Sequence, residues 1–169
     1  MNFLTVDFSD LTRGSFFSFA EFREAQDKVQ QALNLLNSWK SAGRIGFIDL
    51  PLQKNIASDI LKKNKKYQKK FKTLVQCGIG GSSLGAQALV SALSEESRVY
   101  FIDNVDPLSI RKIQDKIDFS KTVFHIVSKS GGTIEIMYQY QWIVAELKKR
   151  KLELNEHIIV STEDNNMLI

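Results

Sequence analysis

The sequence predicts an α/β fold, a doubly wound parallel sheet of the flavodoxin-like kind preceded by a helical N-terminal segment. Three observations carry this. From Lys72 onward, four short apolar runs alternate with stretches of helical period. The runs are too short and too continuously apolar for half-exposed strands, and instead read as strands of a parallel sheet covered on both faces. Two of the strand-to-helix junctions are rich in glycine and serine, where ligand-binding loops of such sheets lie.

Taken in order, residues 1–18 show no clear period and read as an irregular arm. From Ala20 to Trp39 the apolar residues Phe22, Ala25, Val29, Ala32, Leu33, Leu36 and Trp39 fall on one stripe of an amphipathic helix. Gly43 and Gly46 close it, GFIDLP turns the chain with Pro51 as breaker, and a second helix covers Gln53–Asn64. TLVQCG at 73–78 is the first strand and Ser83–Leu93 the next helix, with Leu84, Ala88, Leu89 and Ala92 on one side. RVYFID at 98–103 is the second strand, followed by a helix over Pro107–Ile117. TVFHIVS at 122–128 is the third strand. It leads into a long helix over Thr133–Arg150, whose apolar face holds Ile136, Tyr140, Ile143, Val144 and Leu147. HIIVS at 157–161 is the fourth strand. Right-handed crossovers follow, and a doubly wound sheet of this kind takes the strand order 2-1-3-4. The division expected is 1–66 for the arm and first helices and 67–169 for the α/β domain. Because the fourth strand is followed only by TEDNNMLI, the chain is expected to be the N-terminal part of something longer.

Composition narrows the function. Apolar residues make up 43% and charged residues 25% of 169, ordinary values for a globular domain. No run approaches the length of a membrane span, and the acids in MNFLTVDFSD do not fit a signal peptide. With Cys77 as the sole cysteine no intrachain disulfide can form, which fits the cytosol. The net charge of +4 comes largely from lysines 62, 63, 65, 66, 69, 70 and 72. That stretch reads as a solvated helix end or loop, since no nucleic-acid motif accompanies it. One cysteine and the two histidines, His125 and His157, are too scattered for a metal site, and both histidines read as core residues.

The chemistry concentrates in two loops. The first is GIGGSSLG at 78–85, between strand and helix. Its glycines allow close backbone approach, Ser82 and Ser83 stand at the helix start, and the helix N-terminus supplies unpaired N–H donors. The second, SKSGGT at 128–133, repeats this and adds Lys129. Ser128, Ser130 and Thr133 place three hydroxyls within six residues, which suits the several acceptor oxygens of a phosphate. In the order 2-1-3-4 the first and third strands are neighbours and their helices leave on opposite faces. Both loops therefore meet at the switch point where such sheets bind ligands. Gly80, Ser83 and Glu135 are further candidates, Glu135 also serving as a helix-dipole partner. A nucleotide is the nearest rival, since Asp103 ends the second strand. However, the G-x-G-x-x-G spacing fails at Ser83 and no G-K-[ST] exists for a P-loop. Asp103, Asn104 and Asp106 before Pro107 read as helix-capping residues.

GIGGSSLG at 78–85 and SKSGGTIE at 128–135 resemble the two signature segments of the phosphoglucose isomerase (glucose-6-phosphate isomerase) family. The resemblance extends to FIDLP at 47–51 and DNVDP at 103–107. It implies a sugar isomerase (SIS) domain in which Gly81 and Ser82 contact the sugar phosphate. Ser128, Ser130 and Thr133, with the N–H groups of Lys129 and Ser130, bind its phosphate, and Lys129 adds charge. Gly132 departs from the threonine more usual there, at the cost of one hydroxyl. The family interconverts glucose 6-phosphate and fructose 6-phosphate through an enediol, without a metal or other cofactor. Its catalytic glutamate, arginine and ring-opening histidine fall beyond the equivalent of residue 169. The resemblance thus implies a substrate-anchoring domain that is inactive alone, with the rest of an isomerase chain and a homodimer mate as partners. The alternative is a non-catalytic sugar-phosphate-binding module.

Overall fold

The structure, a computed structural model, describes residues 18–94 and 98–163. The chain divides into two compact units, Met1–Ser58 and Asp59–Ile169. The arm expected over 1–18 lies outside the described residues except for Ser18.

In the first unit, helix α1 spans Phe19–Ser41. Ser18 opens it with a reciprocal cap. The Glu21 N–H donates to Ser18 Oγ (3.2 Å), and the Ser18 N–H donates to the Glu21 carboxylate (2.7 Å). The helix ends before Gly43, whose φ of +68° reverses the chain. The predicted stripe forms but faces outward: Val29, Leu33 and Trp39 are all exposed. FIDLP is more ordered than a simple turn. Phe47–Leu52 forms a 3-10 helix that includes Pro51, a residue whose fixed φ is compatible with this geometry.

Helix α2, Lys54–Lys70, runs across the division between the units and is longer than predicted. The lysine run continues the helix instead of ending it, since lysine is a good helix former and the charges point into water.

The second unit carries strands β1 (Thr73–Cys77), β2 (Val99–Ile102), β3 (Thr122–Val127) and β4 (Ile158–Ser161) in one parallel sheet of order β2-β1-β3-β4. Between them lie α3 (Leu84–Leu93), α4 (Pro107–Gln114), α5 (Ile134–Lys149) and the short α6 (Leu154–His157). Both the parallel sheet and its order agree with the sequence reading. Register aligns Val75 with Tyr100 and Phe124, and Cys77 with Ile102 and Ile126. Together with Ile158 and Val160 these residues form one face of the sheet, against which Ile136, Ile143 and Leu147 of α5 are fully or almost fully buried. The stripe read on α5 is therefore the core stripe. Cys77 is buried, and burial pushes its thiol far above the ordinary cysteine range, so it is an inert core residue. His157 is buried with its Nδ1 2.8 Å from the Thr122 carbonyl oxygen.

The opposite face carries Gln76, Phe101 and His125, in register across β2, β1 and β3. Right-handed crossovers put α3 on this side and α4 and α5 on the other. The apolar side read on α3 forms but faces outward: Leu84 and Leu89 are 62% and 63% exposed. Periodicity identified a stripe there but not what covers it.

His125 is half-buried and lies 2.8 Å from Ser161 Oγ on β4. Burial holds it below its ordinary value of 6.5. The unfolded chain therefore takes up this proton more readily than the folded one. Its contribution is fully present above pH 6.5 and is lost as pH falls from there towards the depressed folded-state value. Denaturation midpoints measured between about pH 7 and pH 5 should fall for the wild type and fall less for His125→Asn. Asp106, Asp118 and Glu156 are held below their ordinary carboxylate values, so their losses come at lower pH and are separable.

Candidate functional site

β1 and β3 are adjacent, with Cys77 opposite Ile126, so the loops that follow them start about 5 Å apart. The ladder extends one residue past each strand. The Gly78 N–H donates to Ile102 O (3.2 Å), and the Ser128 N–H to Ser161 O (3.0 Å). Beyond these bonds both loops leave the sheet at its C-terminal edge, next to each other.

The first loop makes a 3-10 turn over Gly80–Ser82. The Ser82 N–H donates to Ile79 O (3.1 Å) and the Ser83 N–H to Gly80 O (3.0 Å). Gly80 has φ +56°, and Gly78 lies so close beneath the turn that a Cβ on it would stand 2.3 Å from Ser82 O. Gly80 and Gly81 are exposed and Ser82 is half-buried, so these three residues present the loop's surface. Ser83 is placed differently. It is the N-cap of α3 but makes no side-chain cap, is 1% exposed, and its Oγ accepts from Gln87 Nε2 (2.7 Å). Its hydroxyl belongs to the loop's internal frame.

The second loop winds around its own hydroxyls. The Gly131 N–H donates to Ser128 Oγ (3.1 Å), the Gly132 N–H to Ser130 Oγ (3.3 Å), and Gly131 takes φ +66°. Each serine oxygen that accepts such a bond keeps its O–H to donate. Ser128 is buried, whereas Lys129 and Ser130 are exposed. Lys129 Nζ lies 3.8 Å from Glu163 Oε1 at a solvent-exposed position, a loose pair that an anion can compete for. Thr133 is the N-cap of α5, again without a side-chain cap, and Glu135 lies half-buried in the first turn.

The helix starts differ in a telling way. α1 and α4 are capped by Ser18 and by Asp106, which accepts from the N–H groups of Leu108 (3.4 Å) and Ser109 (2.9 Å). α3 and α5, which open from the two loops, are not capped by their N-cap side chains, nor is the one-turn α6. The first-turn N–H groups and dipole ends of α3 and α5 stand at the switch point, and such helix starts are the kind that bind anions.

Asp106 therefore caps as expected, with Pro107 in the first turn of α4. Asp103 does something the sequence did not reveal: its Oδ2 accepts from Gln87 Nε2 (2.9 Å), tying the end of β2 to the first loop. Asp103 is thus engaged where a ribose-binding acid would need to be available, which weighs against a dinucleotide. Sequence reasoning also missed Gln76, whose Nε2 donates to Ser82 O (2.8 Å), and Gln139 on α5, which donates to Asn104 O (3.0 Å). A glutamine within an apolar strand was the available signal for Gln76. A cavity of about 360 Å³ lies beside Phe119 and Arg150 at the opposite, N-terminal edge of the sheet, away from both loops. Among the described residues no group of three or more His, Cys, Asp or Glu is placed to hold a metal ion. No helix there is long and apolar enough to cross a membrane.

Fold and site together define a doubly wound α/β domain with two glycine- and serine-rich loops and two helix starts without side-chain caps at its switch point. The phosphoglucose isomerase family model matches residues 53–167, and the chain belongs to that family. It is 37% identical over 153 residues to a glucose-6-phosphate isomerase from Carboxydothermus hydrogenoformans, covering 82% of this chain and 33% of that protein. It is 30% identical over 148 residues to a probable glucose-6-phosphate isomerase from Methanococcus maripaludis, covering 83% and 33%. Among solved structures, a glucose-6-phosphate isomerase from Chlamydia trachomatis matches with TM-score 0.63 at 30% identity, over 68% of this chain and 23% of that one. The chain spans about a third of the length of these two curated relatives.

Proposed function

We propose that this chain is the sugar-phosphate-anchoring SIS domain of a glucose-6-phosphate isomerase, with the α/β domain occupying 67–169. The observation that carries the proposal is the pairing of two uncapped helix starts, each on a hydroxyl-bearing glycine loop, at the ends of adjacent parallel strands. A phosphate seated there accepts from the Ser128, Ser130 and Thr133 hydroxyls and from N–H groups of Lys129 and Ser130, with Lys129 supplying charge. Gly81 and Ser82 of the facing loop contact the sugar phosphate from the other side, and Gly80 lets the backbone turn close to it. Glu135 stays a candidate at the rim, and Ser83 supports from beneath.

Interconversion of glucose 6-phosphate and fructose 6-phosphate moves a proton between C1 and C2 through an enediol, which takes a base of suitable pKa beside those carbons. This chain's part is to hold the phosphate and so fix the sugar's position relative to such a base. The carboxylates of the described residues with displaced pKa values are all lowered, none towards neutrality. This supports an anchoring role for the 169 residues, with the base, the rest of the isomerase and a second subunit as partners. The cytosol is the proposed location, consistent with a single buried thiol.

Calorimetric titration of fructose 6-phosphate into the chain, alongside an isomerase assay, tests this. The expected result is binding without appreciable turnover. Turnover within about tenfold of the usual 1–10³ s⁻¹ would overturn the anchoring role. Absence of binding would overturn the site.

A further inference from the structure

We infer that Gln76 is the positioning residue of the first loop, fixing the Ser82–Ser83 peptide so that Gly81 and Ser82 face the bound phosphate; this rests on the anchoring role proposed above. Gln76 lies one residue from the C-terminal end of the central parallel strand β1, 9% exposed, between Phe101 and His125 in register. A buried side-chain amide in such a place destabilises the fold unless it is hydrogen-bonded. Its Nε2 reaches out of the strand to the loop, 2.8 Å from Ser82 O.

That carbonyl is held from two sides. It lies over Gly78, at 2.3 Å from where a Cβ would be, and Gln76 donates to it. The other half of the same peptide, the Ser83 N–H, donates to Gly80 O (3.0 Å). Ser83 Oγ is in turn fixed by Gln87, which also bonds Asp103. The Ser82 carbonyl, the Ser83 N–H and the Ser83 hydroxyl thus each have a bond within the frame. The parts left at the surface are Gly80, Gly81 and the Ser82 side chain. Releasing the Ser82 carbonyl frees the peptide to rotate, and the Ser82 hydroxyl loses its fixed direction. Gln76 touches no ligand; it acts through Ser82.

The test uses the full chain with Gln76→Met, which keeps length and bulk but lacks the donor, and Gln76→Asn, which keeps a shorter amide. Without ligand, amide hydrogen exchange at Ser82 and Ser83 should speed up about tenfold in Gln76→Met, the weight of one ordinary hydrogen bond. Amides of Val75 and Cys77 should stay at wild-type rates, and Gln76→Asn should fall between. Affinity for fructose 6-phosphate should drop about tenfold in Gln76→Met and recover in part in Gln76→Asn. If Gln76→Met does not fold, acceleration confined to the loop in Gln76→Asn carries the prediction. Unchanged loop exchange, or equal acceleration along β1 and the loop, overturns the positioning role. If loop exchange responds as expected but the wild type binds no sugar phosphate, the positioning of the loop stands and the anchoring function fails.

Discussion

Gly78→Ala is expected to weaken sugar-phosphate binding severely and to lower stability by about 3 kcal/mol, the upper end of the usual overpacking range. The added Cβ would lie 2.3 Å from Ser82 O and 2.9 Å from Ser82 C. Both are backbone atoms, so no rotamer change relieves the clash, and the turn itself has to move. Moving it breaks the Gln76 bond to Ser82 O and displaces Gly81 and Ser82 together. The expected drop in melting midpoint is about 10 °C, with fructose 6-phosphate affinity reduced at least about 100-fold, near 2.7 kcal/mol. Gly85 provides the control. A Cβ there meets nothing within 4 Å, and alanine is the better helix former by up to about 1 kcal/mol. Gly85→Ala should therefore keep or raise the melting midpoint, as read by calorimetry in parallel with Gly78→Ala.

Thr133→Asp should separate stability from binding in the opposite sense. Thr133 has the extended backbone of an N-cap (φ −67°, ψ 119°) but provides no side-chain cap for α5. Aspartate is the stronger cap and brings a negative charge to the helix N-terminus, worth about 0.5–1 kcal/mol of stability. The same carboxylate occupies the anion site and repels phosphate. At about 4 Å and an effective dielectric of about 20 the repulsion is about 4 kcal/mol per charge pair before screening. The melting midpoint should rise by a few degrees while affinity for fructose 6-phosphate falls at least about 100-fold. A variant that still bound sugar phosphate normally would show that the α5 start is not part of the site.

These two positions also indicate what the sequence makes legible. The strands were readable because β1 to β4 are apolar runs bounded by glycine, proline and acidic turns, and each lies within one residue of its expected limits at either end. The α5 stripe was readable because the helix packs on the sheet along one side, so period and burial coincide in Ile136, Ile143 and Leu147. The two loops were readable because two glycine and serine clusters fall at the ends of neighbouring strands, whereas either cluster alone would also make an ordinary cap or turn. Three things were not. Periodicity on α1 and α3 gave stripes whose residues Leu33 and Leu89 are exposed, since a moment reports a preference and not a neighbour. The lysines before Phe71 looked like a boundary by charge, although helix propensity carries α2 through to Lys70. The frame behind the site, Gln76, Gln87 and Asp103, depends on which strands become neighbours, and glutamine alone announces nothing.

The most direct test of the central claim is an amide-resolved titration of fructose 6-phosphate into ¹⁵N-labelled chain. If the two loops hold one phosphate, saturable shifts should appear together, with a single affinity, at Gly80, Gly81, Ser82 and at Lys129, Ser130, Gly131, Thr133, while Phe119 and Arg150 at the far edge of the sheet stay unmoved. Shifts centred on that far edge, or a response in one loop without the other, would contradict it.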